Sequence, residues 1–120
     1  MQYIALIYTA DDCGSPNPGE PGFDDYMGGY ISATKTYQDT GCMIAGEALQ
    51  PTSTATSIRI RDGKTETMDG PFAETKERLG GFYLLECRDL DHAIEMASLI
   101  PDAKYGTVEV RPILDLSDMT

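Results

Sequence analysis

Tryptophan is absent from this 120-residue chain, histidine occurs once, and 9 basic residues stand against 20 acidic ones, a net charge of −11. A surface this acidic repels phosphate backbones, so direct nucleic-acid binding is not expected. No stretch approaches the roughly 18 consecutive apolar residues of a membrane-spanning helix. The apolar start, Met1 to Tyr8, is short, lacks a basic leader and runs into acidic residues. It reads as a buried strand and not as a secretory signal. The three cysteines, Cys13, Cys42 and Cys87, are odd in number and show no CxxC spacing or histidine partner, which argues against a zinc site or a disulfide framework. They suit a reducing cytoplasm. The phosphate-cradling glycine loop, the EF-hand spacing and the nucleophile motif are all missing. No cofactor and no metal is therefore expected.

What is present is one domain, residues 1–120, long enough to bury about 65% of the surface its unfolded chain exposes. The pattern predicts β-α-β-β-β-β-α-β. Residues 2–8 are apolar enough throughout to form a central strand, and the Pro/Gly-rich segment 9–22 is an irregular connection. From Phe23 to Asp39 the residues Phe23, Tyr26, Met27, Tyr30, Ile31, Ala33, Thr34 and Tyr37 recur at intervals of three and four, as on one face of a helix. Gly28-Gly29 weakens that helix and marks a close approach or a kink, and Gly41 ends it. Strands follow at 42–48, at 56–61 and 65–68 about an Asp62-Gly63 hairpin turn, and at 80–87. A second helix, capped by Asp89 or Asp91, buries Leu90, Ala93, Ile94, Ala97 and Ile100 and stops at Pro101. A closing strand spans 107–113. Two helices cover only one face of the antiparallel sheet this implies, so a partner subunit's sheet is the expected cover and a homodimer follows.

The segment from Met68 to Gly81 is the most distinctive. Asp69-Gly70-Pro71 is a tight turn, and Phe72 is too large and apolar to be left in water, so the loop is expected to fold back and bury the ring. Glu74, Lys76, Glu77 and Arg78 would then lie on a rim. Asp69 to Glu77 with Leu79-Gly80-Gly81-Phe82-Tyr83 resembles the signature of the DGPF-domain proteins, a branch of the YCII-related superfamily. The likeness extends to Gly46-Glu47-Ala48-Leu49-Gln50-Pro51, Asp89-Leu90-Asp91, Ile100-Pro101 and Gly106 to Pro112. It implies a ferredoxin-like α+β domain of the dimeric α+β barrel type, with helices on one face of an antiparallel sheet. It also implies genomic company with sigma-factor genes of the extracytoplasmic-function type, and so a link to transcriptional regulation. Some members are thought to use a His-Asp pair with the histidine on the first helix. Aligned on Gly46 to Leu49, that position is Tyr30 here.

The candidate site residues are Tyr8, Tyr30, Glu47, Asp69, Phe72 and Lys76, placed where strand ends and the 69–78 loop converge. Asp69 reads either as a turn residue accepting its own loop's amides or as a ligand or proton acceptor. Tyr30 reads as a rim aromatic or as a hydroxyl donor beside that carboxylate. Glu47 would need a cation such as Lys76 or Arg78 if buried. His92 is expected to cap its helix or face solvent. Three functions follow: a dimeric module binding a small polar ligand or a partner, a cofactor-independent enzyme working through Asp69 and Tyr30, or a purely structural dimer.

Overall fold

The computed structural model describes residues 1–119, excluding the side chains of the last two. Alternation of buried and half-exposed residues along β1 (Gln2–Thr9) and β5 (Arg78–Glu86) sends Tyr3, Ala5, Ile7, Gly81, Tyr83 and Leu85 to one face. These strands pair antiparallel at the centre of a four-stranded sheet, with β2 (Met43–Ala48) beyond β5 and β6 (Thr107–Pro112) beyond β1. Helices α1 (Phe23–Asp39) and α2 (Leu90–Ala97) pack on the buried face, so the chain is α+β with ferredoxin-like strand order. No described helix is long and apolar enough to cross a membrane.

Tyr37 is the pin of this body. It is fully buried, its ring meets Tyr83 edge-on at 5.1 Å, and its hydroxyl donates to the Met96 carbonyl at 2.6 Å, tying α1 to α2. Gly41, in the left-handed region at φ 74°, ends α1, because a residue without Cβ takes that conformation at no steric cost. Asp89 caps α2, accepting from the His92 amide at 2.9 Å. His92 is the third residue of the helix and half-exposed, its ring Nδ1 accepting the Arg88 amide at 3.1 Å. The buried stripe of α2 is Ala93, Met96 and Ala97, whereas Leu90 and Ile94, expected inside, are about half exposed. The helix is only two turns long, and its inward direction is set by Tyr37 and the sheet, which select Met96.

The hairpin stands apart. β3 (Thr56–Arg61) and β4 (Lys64–Asp69) form a separate two-stranded sheet, joined by Asp62 and Gly63, both at positive φ as the mirror-image turn requires. Phe72, expected to be buried, is 71% exposed. Its ring lies under the Arg59 guanidinium, 5.0 Å from the centroid, and has no apolar body to fold onto because the loop runs beside the hairpin and not over the core. The last part of the loop is already strand, since β5 begins at Arg78.

Candidate functional site

Tyr26 and Tyr30 stand one helical turn apart on α1, which places both hydroxyls on the same side, with the rings edge-to-face at 5.7 Å. Facing them is a 3-10 turn, Pro101–Ala103, that follows α2. Gly29 lets the two segments meet. A Cβ there would stand 2.8 Å from Pro101 Cγ, so any side chain would drive the turn away. Of the alternatives for Gly28-Gly29, the structure shows close approach, and only Gly29 takes part: nothing lies within 4 Å of a Cβ at Gly28.

The approach delivers Asp102. It is 6% exposed, the one buried charged residue among the described residues. Its Oδ2 accepts the Tyr26 hydroxyl at 2.6 Å and, at still closer range, that of Tyr30. Its Oδ1 is buried and has no partner among the described residues. Hydroxyl donors to a carboxylate form charge-assisted bonds, each worth about 1.5–3 kcal/mol, which offsets part of the cost of burying the charge. An orphaned buried acceptor costs about 1–3 kcal/mol unless something donates to it. Burial first, and then the bond to Asp102, push the Tyr26 and Tyr30 hydroxyls far above the ordinary tyrosine range. Both therefore stay protonated and act as donors.

The cluster borders a cleft of about 540 Å³ whose walls include Ile7, Met27, Thr34, Glu47 and Tyr83. It is mostly apolar with a few convergent polar groups, the usual composition of a small-molecule site. Of the sequence candidates, Tyr30 and Glu47 meet here. Glu47 is on the exposed rim with no ion pair among the described residues, while Arg78 pairs with Asp11 at 3.5 Å and Lys76 stands free in solvent. Tyr8 is half-buried in β1 opposite Thr107, outside the cleft lining. Asp69, Phe72 and Lys76 are exposed on the hairpin arm. The Asp69 carboxylate makes none of the turn's hydrogen bonds. The Gly70 amide donates instead to Ala55 at 2.7 Å, and Ser57 Oγ donates to the Gly70 carbonyl. Within the chain, the carboxylate that meets Tyr30 is thus Asp102 and not Asp69.

Sequence reasoning missed Asp102 and Tyr26. The available signal was the pair of tyrosines at i and i+4 together with a carboxylate directly after a helix-stopping proline. The sequence pattern assigns the cysteines no histidine partner, yet the fold brings Cys42, Cys87 and His92 together, their donor atoms all within 4.8 Å of one another.

The profile of the YCII-related domain matches residues 1–117. An uncharacterised protein of Rhizobium meliloti (strain 1021) is 38% identical over 116 residues, covering 94% of this chain and 92% of that protein. With the match running through both halves of the sheet, both helices and the hairpin between them, the chain belongs to the YCII-related family.

Proposed function

We propose that the chain is a homodimeric binding module for a small polar ligand, held in the α1 cleft by a hydrogen bond donated to Asp102 Oδ1. The observation that carries this reading is the orphaned, buried oxygen of a carboxylate already oriented by two tyrosines. The ligand completes the acceptor, and Tyr26 and Tyr30 hold the carboxylate in one rotamer before it arrives. Native mass spectrometry of the protein purified from its own cells should show a bound small molecule, absent in Asp102→Asn. Bare protein, unmoved in melting temperature by a panel of small amines and alcohols, would end the reading.

The dimer rests on the other face of the sheet. Ile4, Leu6, Phe82 and Leu84 alternate with the core residues and point away from the helices, and none is buried by this chain. A second sheet is the cover that fits an antiparallel face. Sedimentation at micromolar concentration should return a dimer, whereas a well-folded 13 kDa monomer would refute it. The three free cysteines suit a cytoplasmic setting, where a regulatory role would act through ligand occupancy.

The catalytic alternative, proton transfer through Asp69 and Tyr30, takes a different form once Tyr30 is bonded to Asp102. A hydroxyl held protonated cannot serve as a base, so proton abstraction would fall to the Asp102 carboxylate with Tyr30 orienting it. Asp102→Asn separates the two readings: a binder loses affinity, and an enzyme loses turnover by about 10²-fold or more.

A further inference from the structure

Cys42 directly precedes β2 and Cys87 directly follows β5, and the two strands are hydrogen-bonded neighbours. Pairing continues past the strand ends: the Glu86 amide donates to the Cys42 carbonyl at 2.8 Å, and the Cys87 amide to the Met1 carbonyl at 2.9 Å. The two thiols therefore sit at one end of the sheet, each 3% exposed. The Asp89 cap fixes the first turn of α2 so that the His92 ring turns back toward them, its Nδ1 accepting the Arg88 amide at 3.1 Å. Both sulfurs and a ring nitrogen lie within 4.8 Å of one another. The third cysteine, Cys13, is elsewhere, 3.3 Å from Ser15 Oγ.

We propose that Cys42, Cys87 and His92 form a binding site for a single thiophilic cation, Zn²⁺ in the first instance, that is independent of the α1 cleft. Two thiolates and an imidazole select against Mg²⁺ and Ca²⁺, which demand oxygen ligands, and favour Zn²⁺. Zn–S bonds of about 2.3 Å and Zn–N bonds of about 2.0–2.1 Å set donor separations of roughly 3.5–3.8 Å in a tetrahedron, so donors already within reach need only small side-chain rotations. Charge also balances: Zn²⁺ with two thiolates is neutral, which a buried position tolerates far better than a bare cation. Three protein ligands leave the fourth position to water on the His92 side, where the ring is half-exposed and gives the ion a way in.

Binding is an exchange without redox. Each thiol gives its proton to solvent as a Zn–S bond forms, and neutral His92 supplies one ring lone pair. Whichever ring nitrogen coordinates, no lone pair remains for the exposed Arg88 amide, which turns to water.

Titrating the full chain, reduced and metal-free, with Co²⁺ tests the proposal. One equivalent should produce the near-ultraviolet sulfur-to-cobalt charge-transfer band and the visible bands of tetrahedral cobalt, both bleached by Zn²⁺. Cys42→Ser or Cys87→Ser should abolish the charge-transfer band, and Cys13→Ser should leave it intact. His92→Gln, at a half-exposed position that should not perturb folding, should keep a thiolate band but weaken binding by about tenfold or more. Absence of the band in the native chain, or unchanged affinity in His92→Gln, overturns the proposal even if the cysteine variants fail to fold. A Cys42–Cys87 disulfide recovered from protein purified under reducing conditions overturns it as well, because an oxidised pair has no thiolates to offer.

Discussion

The sheet-and-helix body and the β3–β4 arm are built from the same local grammar and held by different physics. Along β1 every second residue disappears into the core, whereas along β4 all six residues are exposed. The arm keeps its shape through the Asp62-Gly63 turn, its own ladder and the Ala55 and Ser57 contacts to Gly70. A lone two-stranded hairpin is marginally stable in water, so regular structure there is no sign of a core. Burial, and not strand character, separates the region that stabilises this protein from the one that decorates it. The cleft belongs to the body, although the most distinctive sequence belongs to the arm.

The sharpest break of that contrast is Tyr37→Ala, which removes the buried ring and its bond to Met96. It should cost about 3–5 kcal/mol in urea unfolding, the range for large aromatic truncations. Gly29→Ala comes next. Pressing a methyl into Pro101 should cost about 1–3 kcal/mol, and because the turn carries Asp102, ligand binding in the cleft should fall with it. A loss of stability that spared the cleft would show that Asp102 is placed by something other than this approach.

An alkaline titration followed by tyrosinate absorbance sharpens the comparison within the body. Tyr26, Tyr30 and Tyr37 are all held above the ordinary tyrosine pKa, each chiefly by burial. The folded state thus holds these protons more tightly than the unfolded chain. Their contribution to stability is complete below about pH 10 and falls away as the pH climbs above it. These tyrosines should ionise only as the protein unfolds, so tyrosinate absorbance and loss of circular dichroism should rise together in the last phase. Free ionisation of all seven tyrosines at constant ellipticity would contradict the buried cluster.

The smallest effect is expected on the arm. Phe72→Ala removes an exposed ring and a cation–π contact with Arg59, worth about 0.5–1 kcal/mol at such a site. A loss near 3 kcal/mol would mean that a second copy covers the ring in solution and that the arm is part of the dimer core.

Much of the fold was legible in the residues. The bounds of α1 and β3, the order of the elements and the central position of β1 follow from periods of two and 3.6 and from turn chemistry, while cap chemistry leaves Asp89 and Asp91 as candidates for α2 and the structure selects Asp89. The site was half legible. Tyr30 and Glu47 are candidates from sequence and border the cleft, but the sequence points to Asp69 as the carboxylate because its Asp-Gly-Pro setting is conspicuous along the chain. Asp102 is not conspicuous there: 72 residues separate it from Tyr30.

Local sequence thus determined the elements, since helix and strand periodicity, the Asp62-Gly63 turn and an aspartate cap at Asp89 or Asp91 act over a few residues and can be read there. Tertiary structure alone decided which side chains meet. The missing Cβ of Gly29 admits Pro101 and thereby sets Asp102 against two tyrosines, and the pairing of β2 with β5 carries Cys42 to Cys87 at the end of the sheet where α2 starts with His92. Such encounters depend on strand order and close packing between distant segments, which no local pattern records.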